Sequence, residues 1–333
     1  MYGRPQRPVR KRRTGRKFLA VLVVLVLALA GFLFYVDYSL KREQAMPTGG
    51  DRPADGPGSN WLLVGSDSRA ELDSEQQSEL GAGDANGRRT DTVMLVHVPA
   101  GGGKPTMVSL PRDSYVTIPG QGKDKLNAAF SYGGPQLLLQ TVEGATGVRI
   151  DHYAEIGLGG FADMTDAMGG VDMCVKERMQ DPKAGLDLQP GCQTLDGPQA
   201  LGYVRTRATA MGDLDRVQRQ REFLGALTEK AASPEVFLNP FRLFPLILNT
   251  SGAFLVDEDD HVWHLAGLAW AMKGIAAGDG LTTTVPFSGF GETSGGASVV
   301  KWDSDKAGTL FEALQNDTPV PSEVVTNAET LGG

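Results

Sequence analysis

An uncharged run of nineteen residues from Phe18 to Val36, FLAVLVVLVLALAGFLFYV, constrains this chain more than any other feature. As a helix rising about 1.5 Å per residue it would span roughly 28 Å, close to the hydrocarbon thickness of a bilayer. A cleaved signal peptide has an apolar core of about 7–15 residues that ends in small side chains. This run is longer and finishes in bulky Phe32, Phe34 and Tyr35, with Tyr38 just beyond, so a retained anchor is the favoured reading. Residues 1–17 carry eight Lys and Arg and no acid. The positive-inside rule therefore keeps them in the cytoplasm and sends everything after Asp37 outside. The expectation is a single-pass protein of the cell membrane with an extracytoplasmic domain.

The basic tail leaves 24 of the 32 Lys and Arg to set against all 40 Asp and Glu, so the external body is acidic. Nucleic-acid binding needs cations clustered over a broad surface and is excluded. Any anionic ligand must be caught by a few local arginines. Both cysteines, Cys174 and Cys192, fall in the external part. An oxidising compartment and an even count favour one disulfide over two buried thiols.

The chain divides into a basic tail (1–17), an anchor (18–36), a Pro/Gly-rich linker (37–59), a globular domain (60–316) and a flexible tail (317–333). Within the linker, residues 47–59 read as a mobile spacer. Trp61 to Val64, Thr92 to Val98 and Thr106 to Leu110 read as three strands, the second apolar on both faces and hence central. Polar residues 70–88 read as a surface loop. Beyond them, helices over 135–143, 161–168, 214–231, 262–275 and 303–314 interleave with strands over 170–175, 201–207, 282–286 and 298–302. This alternation predicts a layered α/β fold.

Standard motifs fail. Gly122-Lys123 is followed by Asp124 rather than Ser or Thr, so it is not a phosphate loop. Gly157, Gly159 and Gly160 do not make a dinucleotide fingerprint. His261 and His264 are three apart on a helix, but no third ligand is evident and a metal site is not expected there. His152 reads as a packed core histidine.

Charges at strand ends are more informative. Asp67 follows the first strand, Arg89 and Asp91 open the second on one face, and Arg112 follows the third. If the three strands are antiparallel neighbours, these four residues gather at one edge of the sheet, where α/β proteins bind ligands. Arg205 and Arg207 alternate onto one face of the strand expected at 201–207. On the next helix, Arg216 and Gln220 share the apolar stripe of Val217, Phe223, Leu224 and Leu227, whereas Arg221 points away. A buried arginine needs an anionic partner. Arginine forks suit phosphate oxygens, and carboxylates suit Mg²⁺. Internal salt bridges are the competing explanation for any single pair.

In this order, behind one signal-anchor, the segments resemble the LytR-CpsA-Psr cell-wall ligases. The matching stretches are Leu62 to Asp67, Arg89 to Thr92, Ser109 to Asp113, Lys125 to Ala129 with Tyr132-Gly133-Gly134, and Ile150 to Tyr153. They continue through Phe161, Gly169 to Val171, Tyr203 to Arg207, and Asp215-Arg216 with Arg219-Gln220. The resemblance implies an αβα sandwich, a mixed β-sheet flanked by helices that enclose a hydrophobic polyprenyl tunnel. It also implies Mg²⁺ near Asp67 and Asp91, with Arg89, Arg112, Arg205, Arg207, Arg216 and Gln220 around a diphosphate. Asp91, Arg89 and Arg112 would be the catalytic set. The implied reaction moves a glycopolymer from a polyprenyl-diphosphate carrier to a peptidoglycan hydroxyl. A polyprenyl-diphosphate phosphatase and a non-catalytic lipid-binding scaffold are the alternatives.

Overall fold

The structure, a computed structural model, describes residues 13–49, 52–67, 90–182, 184–206, 219, 222–223, 225–227, 229–230, 233, 252–293 and 295–326. In chain order, helix α1 (Arg13–Ser39) leads through β1 (Lys41–Glu43) into β2 (Ser59–Ser66), β3 (Thr90–Val98) and β4 (Thr106–Leu110). Hairpin β5 (Tyr115–Ile118) and β6 (Gly122–Lys125) precede α2 (Leu126–Thr146), β7 (His152–Ile156) and α3 (Leu158–Ala167). Four short strands follow: β8 (Val171–Val175), β9 (Met179–Asp181), β10 (Leu186–Leu188) and β11 (Gly191–Leu195). The described chain closes with α4 (Gly197–Arg205), β12 (Phe254–Asp257), α5 (Val262–Ala276), β13 (Leu281–Thr284), β14 (Phe287–Glu292), β15 (Ser298–Trp302) and α6 (Ser304–Gln315).

Among the described residues, seven strands form one mixed sheet in the order β1-β12-β7-β2-β3-β4-β13. As expected, β2, β3 and β4 are antiparallel neighbours, and β3 is interior. Alternation along each strand sends its side chains to opposite faces. Leu62, Val64, Val93, Leu95 and Val108 join α2 and α6 in one cluster. Trp61, Met94, Val96 and Met107 join Leu40 and Leu268 in another. The sheet is therefore covered by helices on both faces, an αβα sandwich. A third cluster, built from β8, β10, β11, α3 and α4 with Phe223, packs by itself.

In α2, Gly133 and Gly134 leave helical geometry before Pro135, Gly134 with φ 63°. Pro135 disfavours a helical conformation in the residue before it, and glycine takes the left-handed one without strain. The Tyr132-Gly133-Gly134 motif is thus a kink between two helical pieces.

Three expectations need correction. The strand expected at 201–207 is the second half of α4, and Thr206 is the extended residue that ends it. The start signal outweighs the β-prone Tyr203-Val204 pair: Asp196 accepts from Gln199 N, the Gln199 side chain answers in a capping box, and Pro198 sits in the first turn. Secondly, the linker is built into the domain. β1 pairs with β12, Asp257 accepts from the backbone N–H of Ala45 and Met46, and Arg52 forks onto buried Glu143. Thirdly, the chain does not loosen at Asn316. Asp317 accepts from Ala100 N and contacts His97, Val324 is buried, and Thr326 donates to Thr283.

Candidate active site

Ser66 ends β2 opposite Thr90, which begins β3, while Gly65 pairs with Thr92. Asp91 is thus the extra residue of a β-bulge, a device that re-aims a side chain at the edge of a ladder. The bulge breaks simple alternation, so the same-face argument for Arg89 and Asp91 does not run through it. Asp67 follows Ser66 directly and is half-buried beside this bulge.

Arg112 reaches Asp91 from the loop after β4: its Nη1 donates to Asp91 Oδ1 in a very short ion pair. Arg112 Nε lies 3.4 Å from Asp113 Oδ2, and Lys125 Nζ donates to Asp113 Oδ1 at 2.8 Å. Asp91, Arg112, Asp113 and Lys125 therefore alternate in sign. The loop that carries Arg112 is fixed by its backbone. Ser114 N bonds Pro111 O at 2.9 Å, Asn127 N bonds Arg112 O at 3.0 Å, and Val300 N bonds Asp113 O at 2.8 Å. Trp302 Nε1 adds a bond to Ser114 Oγ at 2.9 Å. A guanidinium on so constrained a loop is positioned before any ligand arrives.

Asp67, Asp91 and Arg112 are thus brought to one sheet edge, as the sequence suggested. Arg205 lies at the C-terminal end of α4 and is half-buried. Arg89, Arg207, Arg216 and Gln220 lie outside the described residues. Arg219, absent from the expected set, is 7% exposed and donates to Thr206 O at 2.6 Å, tying its own segment to the end of α4. Phe223, predicted on the same inward stripe, is fully buried. Asp113 and Lys125 were missed because Lys125 arrives by hairpin β5–β6. The glycines at 120 and 122, both at positive φ, were the available signal for that turn. Cys174 and Cys192 are cross-strand partners of β8 and β11 and are bridged.

A second polar cluster sits at the opposite end of β2 from Asp67. His152 stacks on Trp61 with centroids 4.5 Å apart and binds Asp260 Oδ1 through Nδ1. Asp260 Oδ2 accepts from Tyr153 N at 3.0 Å, and His264 Nδ1 lies 3.3 Å from Oδ1. His152, Asp260 and His264 each bring a potential ligand atom to within 4.8 Å of the others, a convergence that the spacing of His261 and His264 did not disclose. Hydrogen bonds inside the protein already occupy the trio: Trp263 Nε1 donates to His264 Nε2 at 3.1 Å. Burial and neighbouring His152 push the pKa of His264 below its ordinary value.

Asp67 and Asp91 are the hard oxygen donors that Mg²⁺ prefers. Ser66 Oγ beside them is buried with no hydrogen-bond partner among the described residues, so a polar acceptor is available to a ligand there. The donor set fits the ion.

Comparison with known proteins agrees with this architecture. Residues 38–316 match the LytR_cpsA_psr family. LcpB of Corynebacterium glutamicum, named as a probable cell wall biosynthesis protein, is 55% identical over 298 residues, covering 89% of this chain and 69% of that protein. The polyisoprenyl-teichoic acid–peptidoglycan teichoic acid transferase TagU of Oceanobacillus iheyensis is 34% identical over 244 residues, covering 71% of this chain and 69% of that one. A solved structure of TagT bound to LI-WTA superposes with a TM-score of 0.59 at 27% identity, covering 82% of this chain and 98% of that one. With a family match across most of its length and a sheet edge built from the motif residues, the chain belongs to the LytR_cpsA_psr family.

Proposed function

We propose that this chain transfers a glycopolymer from a polyprenyl-diphosphate carrier to a peptidoglycan hydroxyl at the outer surface of the cell membrane. The observation that carries the reading is Arg112, held by a fixed loop against Asp91 on a β-bulge, in a domain shared with named transferases. Helix α1 is long and apolar enough to cross a bilayer over Lys17–Ser39. The basic tail and the Cys174–Cys192 bridge support a cytoplasmic N-terminus with the domain outside.

In the reaction, the acceptor hydroxyl oxygen bonds to the glycan-side phosphorus. The phosphorus–oxygen bond to polyprenyl phosphate breaks, and that oxygen leaves with the electron pair. Phosphoryl transfer needs alignment and charge stabilisation more than covalent help. Arg112 supplies a planar fork for the diphosphate oxygens once they displace Asp91 from it. Asp91, so released, accepts the hydroxyl proton. Arg205, with Arg89, Arg207, Arg216 and Gln220, would complete the phosphate contacts. Asp67 and Asp91 would hold Mg²⁺, which when bound offsets charge on the diphosphate.

The test uses the full chain in proteoliposomes with a short polyprenyl-diphosphate glycan, peptidoglycan and Mg²⁺. Arg112→Ala should lower transfer about 100-fold, the usual cost of removing one positioned charge-stabilising donor. Unchanged transfer by that variant would remove Arg112 from the site. Release of polyprenyl phosphate at the same rate without peptidoglycan would replace the transferase with a hydrolase.

A further inference from the structure

Helix α5 has an uncommon surface. Lys273 is its one permanently charged residue in VWHLAGLAWAMKGIA, and only Leu268 and Ala271 are fully buried. At about 100° per residue, Leu265, Leu268 and Met272 turn toward the sheet. Trp263, Gly267 and Trp270 turn outward. The two indoles are 59% and 76% exposed, and their spacing of seven residues puts them within about 20° of one another. A contiguous apolar strip with two bare tryptophans marks an interaction surface rather than a solvated helix face.

Its position identifies what covers it. Asp37, in the last turn of α1, accepts from Val262 N at 2.9 Å and bonds His261 Nδ1 at 3.1 Å. Trp263 stacks on that same His261 with centroids 4.3 Å apart. Trp263 is therefore two contacts from the residue at which the anchor ends. On α1, flanking Asp37 in sequence, Tyr35 and Tyr38 are 58% and 79% exposed. Tyr and Trp collect at the level where hydrocarbon meets headgroups. Both helices thus carry exposed aromatics, and the two helices are joined at Asp37, the end of one membrane-length helix.

We propose that the outward face of α5 lies in the headgroup region of the outer leaflet, a second membrane contact that fixes the tilt of the domain on its anchor. The proposal rests on α1 as a membrane span. Lys273 Nζ stands 5.5 Å from the Trp270 ring, so its stem runs along the apolar strip while the ammonium reaches lipid phosphate. A second copy of the chain fits less well, because this face brings a cation and no acid to meet it. Trp61 stacks on His152 beside the junction, and β2 runs about 16 Å from there to Ser66. Two points of attachment would hold the candidate active site at a set height above the bilayer.

The full chain in nanodiscs of phosphatidylcholine and phosphatidylglycerol with brominated acyl chains tests this directly. Bromine should quench tryptophan emission relative to unbrominated discs, and Trp263→Phe/Trp270→Phe should lose most of that quenching. Equal quenching in both proteins would overturn the proposal. Failure of the chain to co-elute with discs would remove the anchor and the proposal together. A nitroxide at Ala266→Cys provides a second readout, with Glu312→Cys on α6 as the reference. The ratio of relaxation by oxygen to relaxation by a water-soluble nickel complex should be clearly higher at 266 than at 312. The same ratio at 266 as at 312, or protection from both agents at 266, would mean water or protein covers this face instead of lipid.

Discussion

On one face of the sheet, α2 and α6 close over a cluster of 24 buried apolar residues; on the other, the described residues bury eight. The closed face contains Phe130, Leu138 and Leu139 at essentially zero exposure. The open face is covered by α5, whose outward side keeps two bare tryptophans, and by the end of α1. Both faces derive from the same strands, with alternate residues serving each. Among the described residues, one face therefore carries most of the buried apolar packing and the other much less. The difference is measurable. Leu139→Ala should cost about 2–5 kcal/mol, transfer loss plus cavity. Trp270→Ala, far larger in volume removed, should stay within about 0.5 kcal/mol because it leaves no cavity. Chemical denaturation of the two variants checks this, and comparable losses would erase the distinction between the faces.

The closed face also takes in the stem. Glu143 is 3% exposed, and Arg52 reaches it from a segment rich in Pro and Gly with an Nη2–Oε1 distance of 2.6 Å. Glu143 raises the pKa of Arg52, and its Oε1 also accepts from Ile150 N at 2.9 Å. Arg52→Ala strands a buried carboxylate, so a loss of about 3 kcal/mol is expected at neutral pH. A double variant with Glu143→Gln should recover part of it. If Arg52→Ala left stability unchanged, the stem would be the free spacer its composition suggests.

That stem shows where sequence reading stops. Pro and Gly content forecasts local freedom, but a single arginine fork across 91 residues is invisible to composition. The three-strand unit was legible because each strand is a short apolar run with its own stop, and Asp67, Asp91 and Arg112 sit at strand ends, Asp91 at the start of its strand and the other two after theirs. The bulge at Asp91 was not, since one extra residue leaves the apolar pattern of Val93 to Val98 untouched. At Tyr203-Val204-Arg205 the β-prone run misled because the capping box seven residues upstream decided the local structure. Asp260 precedes the extended N-cap His261 and so lies off the helix, where a helical wheel does not place it beside His264. His152, 108 residues from Asp260, could come only from the fold.

The junction between α1 and α5 supplies the smallest effect and the finest test of the open face. His264 touches Asp260 and faces His152 and His261, and burial with His152 holds its pKa below the ordinary value near 6.5. In the unfolded chain it protonates as pH falls through about 6.5, while in the native state it remains neutral. Between the folded and unfolded values the unfolded state binds more protons, so stability rises with pH there. His264 thus withdraws stability on acidification below about 6.5, and the withdrawal ends once the folded value is passed. His264→Gln removes this proton uptake. Thermal unfolding of the full chain in detergent at pH 7.5 and 5.5 should show a larger drop for wild type than for the variant. Parallel drops would assign the acid sensitivity to other groups. A larger drop would mark the α5 junction as the part of the domain that acid loosens, while the α2 and α6 face stays closed.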